Sequence, residues 1–261
     1  MRSRENSHRP SPPNVLQGFT LLGTLYLRRS VFRSRSVLLL VLVATNATLA
    51  SLTTTTLNPD AFATHMFEVF WGFVLPATSL LLGVGVVRDE LEAGTIGYLL
   101  LRPIPRSVVY SARVFSACGI AIVLAVINTM AVVTVLPIPA EITVGLLIAL
   151  ASAGAIVFTA LFAAIGTVFS RPFLVGLGWL IGCERVIASV AFDGRYGAIS
   201  AHLVGLAGLN TPTDAGLGLT VLEPPSMFGS LSYLAIVFVL ALGVGITIFQ
   251  RRQYVGDAPS D

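Results

Sequence analysis

Residues 143–169 read TVGLLIALASAGAIVFTALFAAIGTVF, 27 residues without a charged side chain. At about 1.5 Å of rise per residue, such a helix is longer than the ~30 Å hydrocarbon core of a bilayer. No water is present there to satisfy backbone amides and carbonyls, and a helix satisfies them internally. Alanine and glycine recur through the run and suit close approach to neighbouring helices. The stretch reads as one span of a helical membrane protein.

The rest of the chain repeats the pattern. Of its 261 residues, 55% are hydrophobic and 11% charged, and the mean hydropathy is +0.86. Soluble domains carry about 25% charged residues. Further spans are expected at 37–52, 67–87, 112–135, 173–191 and 231–249, with 143–169 the fourth of six. Pro76 should kink the second span, and Pro137-Ile138-Pro139 makes a tight turn between the third and fourth. Gly178 and Gly182, four apart in the fifth, have the small-residue spacing that permits close helix approach.

Ahead of the spans, residues 1–14 mix Arg, Ser, Pro and His as a flexible tail. Residues 15–35 alternate apolar groups with Arg28, Arg29, Arg33 and Arg35. They read as an amphipathic helix in the membrane interface, the alternative being a cytoplasmic extension of the first span. The semi-polar segment 192–228 has an apolar middle too short to cross a bilayer, and reads as a re-entrant or surface-lying helix pair. Residues 251–261 form a second tail. The expected fold is all-α integral membrane: six transmembrane helices in 36–250, an N-terminal interfacial elbow helix, a cytoplasmic helix after the second span and a re-entrant segment before the last.

All 16 basic side chains are arginine. Six spans put both termini on one side, and fourteen of the arginines fall on that side, leaving only Arg185 and Arg195 on the other. Basic residues favour the cytoplasmic face, so both termini and residues 88–106 are expected in the cytoplasm of a multi-pass cell-membrane protein. The net charge of +3 follows from this topology and gives no reason to expect nucleic acid. Without lysine there is no Gly-Lys-Ser/Thr ending of a phosphate-binding loop, so any nucleotide site belongs to another chain.

Other chemistry finds little support. Cys118 and Cys183 lie inside apolar runs and suggest neither disulfide nor metal. His65 and His202 are expected in separate outer loops, without the converging ligands that a metal needs. Gly229-Ser230 lacks the flanks of a nucleophile elbow. Asn46-Ala47-Thr48 fits a glycosylation pattern but sits within the first span.

The one long charged interruption between the N-terminal tail and residue 184 is Arg88-Asp89-Glu90-Leu91-Glu92-Ala93-Gly94-Thr95-Ile96-Gly97-Tyr98-Leu99-Leu100-Leu101-Arg102-Pro103-Ile104-Pro105-Arg106. Gly94 breaks a continuous helix, Thr95 can cap a short one, and Pro103 and Pro105 end it. Its acids stand at the start and its arginines at the end, in accord with the helix dipole. Leu99 and Leu100, held in water, call for a partner surface.

Glu92-Ala93-Gly94-Thr95, followed by Leu99-Leu100-Leu101, Pro103 and Arg106, resembles the cytoplasmic motif of ABC type-2 exporter permeases. The elbow, the six spans, the re-entrant segment and the ending Phe249-Gln250-Arg251-Arg252-Gln253-Tyr254 are similar to that family too. Asp89-Glu90 departs from a common Arg-Glu pair, and Arg113 stands where a lysine often begins the third span. The resemblance implies a non-catalytic permease subunit. Residues 88–106, through Glu90, Glu92, Gly94, Thr95, Leu99, Leu100, Pro103 and Arg106, would be a coupling region docking on a separate ATPase subunit. ATP and magnesium would reside on that partner, with no cofactor on this chain, and a second permease subunit, identical or not, would complete the pathway.

Glu184-Arg185 is the other charged pair inside an apolar run, where ionisable groups are functional candidates. It reads either as part of the translocation path or as a structural ion pair, mutual or with Arg195. An ion-driven secondary transporter would want paired buried charges and an internal repeat, and only Glu184-Arg185 approaches this. A non-transporting membrane scaffold is the remaining alternative.

Overall fold

The computed structural model describes residues 24, 35–53, 61–92, 105–187, 197–208 and 225–252; within these, nothing is said of the side chains of 35, 36, 90–92, 185 and 187. The elements are α1 (Arg35–Thr53), α2 (Ala61–Thr64) running through a π-helical stretch (His65–Val74) into α3 (Leu75–Glu92), α4 (Arg106–Val133), α5 (Val144–Val168), α6 (Pro172–Trp179) running into a second π-helical stretch (Leu180–Ile187), α7 (Ile199–Ala207) and α8 (Met227–Arg251). Among the described residues there is no strand.

Four helical runs are long and apolar enough to cross a membrane: Ala61–Asp89, Arg106–Val133, Val144–Val168 and Met227–Arg251. They fall on the second, third, fourth and sixth expected spans. Three of them, the second, the third and the sixth, extend several residues beyond the expected N-terminal bound. The first and fifth positions hold the shorter apolar helices Val37–Thr53 and Pro172–Glu184. The expected elbow (15–35) lies almost wholly outside the described residues.

Local chemistry explains the boundaries. Thr143 caps α5, its hydroxyl accepting from the Leu146 amide, and Ser226 caps α8 by accepting from Gly229, each satisfying an amide left over at a helix start. Pro172 opens α6, where its missing N–H is no loss. Pro76 stands two residues past the first π-helical stretch, which closes with the Leu75 amide reaching back five residues to the Phe70 carbonyl. An interior proline cannot donate and crowds the carbonyl four residues earlier, and the widened turn lies where that conflict arises.

The helix α5 is the hub, with α3, α4, α6, α7 and α8 all packed on it. Its closest neighbour is α3. A Cβ at Gly83 would stand 2.7 Å from the Thr159 carbonyl oxygen, 2.8 Å from Phe162 Cβ and 2.9 Å from the Ala163 amide nitrogen. Two of these are backbone atoms that cannot swing aside. Overpacking of this kind costs about 1–3 kcal/mol, so Gly83→Ala should lower stability in detergent by that amount, read from the denaturation midpoint. By contrast a Cβ at Gly178 or Gly182 meets nothing within 4 Å. Their spacing does not mark a helix contact within the described chain.

Apolar side chains cover the exterior as well as filling the core, unlike in a soluble protein. Leu40, Val123, Leu231, Val239 and Leu240 are exposed, while Asn46, His65, Asn128, Thr159, Glu184 and Ser230 are buried. Water would penalise that exterior; hydrocarbon favours it and drives polar groups to find partners inside.

Candidate functional sites at the two ends of the bundle

At one end, α3, α5 and α8 finish and α4 and α6 begin, and the arginines whose side chains are described collect there. Arg113 Nη1 donates to the Val86 carbonyl at 2.8 Å, joining α4 to α3. Arg88 Nη1 donates to the Ser170 carbonyl at 3.0 Å, and Arg252 Nη1 to the Thr167 carbonyl at 2.6 Å. Arg106 Nη1 reaches the carbonyls of Gln250 at 3.2 Å and Arg252 at 3.4 Å. Thr167 and Gln250 lie in last helical turns, whose carbonyls have no partner within the helix and where cations oppose the negative dipole end. The arginines thus stitch one helix terminus to the next.

The charged stretch is suspended from this end. The helix α3 runs to Glu92 and α4 starts at Arg106. Gly94, Thr95, Leu99, Leu100 and Pro103 lie outside the described residues; Glu90 and Glu92 are described only as helical backbone. Arg106 is the one expected coupling residue whose contacts are described. Both stalks of the stretch are tied to the body, one through Arg88 to the α5–α6 turn and one through Arg106 to the end of α8.

The other end holds Glu184. Its carboxylate is buried and accepts from two successive amides, Ile199 N–H to Oε1 and Ser200 N–H to Oε2, both at 3.0 Å. These are the first two amides of α7, whose own preceding residue, Ala198, offers no capping side chain. Glu184 therefore supplies from a distant element the cap that the local sequence lacks, with a negative charge at the positive end of the helix dipole. The described partners of Glu184 are backbone amides, a third arrangement beside the two expected ones; the Arg185 side chain and Arg195 lie outside the description.

Nearby, α7 is buried against α5, α8 and the first π-helical stretch. It ends at Gly208, whose φ of 65° is the left-handed closure that glycine permits. His202 and His65 are not in exposed loops as the sequence suggested; both are buried within helices. His202 Nδ1 lies 3.1 Å from Ser230 Oγ, and its ring stacks on Tyr233 at 4.2 Å. Tyr233 donates to the Gly197 carbonyl at 2.6 Å. A histidine beside a serine is half of a nucleophilic arrangement, but Ser230 is fully covered, and both oxygens of Glu184 are occupied by amides. The pair fastens α7 to α8.

A second polar cluster, unanticipated from sequence, joins α1, α4 and the first π-helical stretch. Asn128 Nδ2 donates to the Leu124 carbonyl at 2.9 Å. Its Oδ1 must then receive, and does so from Asn46 Nδ2 at 3.0 Å. Asn46 Oδ1 in turn faces His65 Nε2 at 3.2 Å. The backbone carbonyl fixes every later orientation, so His65 donates from Nε2. All three side chains are buried, and the glycosylation pattern at Asn46 is inaccessible.

The helical fold, its apolar exterior and its four membrane-length helices define the class: an all-α, multi-pass membrane protein. Comparison with known proteins leaves the family open, since no family model matches the chain and no curated protein is significantly similar to it.

Proposed function

We propose that the chain is the permease subunit of an ABC type-2 exporter, with six spans and both termini in the cytoplasm of a cell-membrane protein. A separate ATPase subunit drives it by pressing on residues 88–106, and a second permease subunit completes the pathway. Carrying this reading is the resemblance of the Glu92–Arg106 motif, hung between two helix ends that are tied to the rest of the bundle. A push on such a loop is passed through Arg88 to the α5–α6 turn and through Arg106 to the end of α8. The arginine-rich end fits a cytoplasmic face. The chain itself performs no catalysis; ATP and magnesium act on the partner.

The test is purification of the tagged chain from its native membranes. The expected outcome is co-purification of a polypeptide carrying a phosphate-binding loop, lost when Leu99 and Leu100 are replaced by aspartate. Recovery of the intact chain without an ATPase would overturn the reading in favour of an ion-driven transporter or a scaffold.

A further inference from the structure

Beside the arginine-rich end, between α1, α3 and α6, the surface holds a cleft of about 430 Å³. Its walls are apolar: Leu38 from α1, Leu81 and Val84 from α3, Phe173 and Leu174 from α6. Leu38, Phe173 and Leu174 are exposed. Its rim is cationic, with Arg88 and Arg171 both lining it. The hydrogen bond from Arg88 to the Ser170 carbonyl holds one guanidinium against the turn that carries the other.

We propose that this cleft binds a phospholipid with a net negative headgroup, its phosphate between Arg88 and Arg171 and an acyl chain along Leu81, Val84 and Leu174. A guanidinium offers a planar fork of donors that fits phosphate oxygens, and it sheds water more readily than an ammonium. The cleft lies where a lipid headgroup would be found, because Arg88 closes the apolar run Ala61–Asp89. Basic clefts between membrane helices are suited to anionic headgroups for this reason. The start of α6 adds to the field: it has no side-chain cap, so the positive end of its dipole is turned to the rim. A soluble anion would satisfy the arginines but leave Phe173 and Leu174 uncovered. A zwitterionic lipid brings its own cation to the phosphate and gains less from the pair. The inference needs only a membrane-embedded bundle and is independent of the transport reading.

The experiment is a thermal-shift titration of the full-length protein in a neutral detergent with dioleoyl phosphatidylglycerol, dioleoyl phosphatidylcholine and inorganic phosphate. Phosphatidylglycerol should raise the melting temperature in a saturable way, and the other two should not. Arg171→Gln, at an exposed position, should leave the lipid-free melting temperature unchanged and weaken phosphatidylglycerol binding about tenfold, while Arg171→Lys restores much of it. Equal shifts from the two lipids, a comparable shift from phosphate alone, or full-strength binding by Arg171→Gln would each overturn the proposal.

Discussion

Replacing Gly94 with proline should reduce transport-coupled ATPase activity about 100-fold, while the chain still inserts into the membrane and folds. Proline fixes φ near −65°, removes an amide and costs about 3 kcal/mol where the backbone requires another conformation, which corresponds to roughly a hundredfold in an equilibrium. Gly94 stands between α3, which runs to Glu92, and α4, which starts at Arg106. The substitution therefore lies outside the span-forming segments and within the stretch proposed to dock on the ATPase. Glu92→Ala should act in the same direction, more weakly. ATPase activity measured on the reconstituted complex, beside membrane insertion of the same variant, separates coupling from assembly. Full coupled activity in Gly94→Pro would remove residues 88–106 from the mechanism.

The second large effect is expected at the opposite end. Glu184→Ala strands the amides of Ile199 and Ser200 in a buried setting, and each such loss costs about 1–3 kcal/mol. The stability of the bundle should fall by about 2–6 kcal/mol, seen as a lower denaturation midpoint in detergent and faster proteolysis around α7. Glu184→Gln should lie between, because the carboxamide keeps one acceptor but sets its own N–H₂ against the second amide. This pattern differs from that of a residue lining a pathway, whose loss would change transport and spare stability. A stable Glu184→Ala protein with altered transport would return Glu184 to the path.

The parts of this architecture that the sequence made legible are those set by local composition. An uncharged run such as 143–169 has few alternatives to a helix in lipid, and the observed Val144–Val168 departs from it by one residue at each end. The gathering of Arg88, Arg106, Arg113 and Arg252 at one end was readable for the same reason, since charge is disfavoured within spans and collects near their ends. Tertiary partners were not readable. Asn46 and Asn128 are 82 positions apart, and nothing in either flank signals the other. Glu184 read from sequence as part of a path or as half of an ion pair with Arg185 or Arg195, and its acceptance from amides 15 and 16 residues on is a tertiary contact that no local pattern announces. Spacing drew attention to Gly178 and Gly182, whereas contact is made by Gly83, which only the three-dimensional approach of α3 and α5 can single out.

The proposed contact between residues 88–106 and an ATPase can be read by placing a photoreactive benzophenone side chain at position 99 in the intact complex and irradiating native membranes. One dominant adduct is expected, to a polypeptide bearing a phosphate-binding loop, with a yield that changes when a non-hydrolysable ATP analogue is added. Adducts only to lipid or to this chain itself would contradict it.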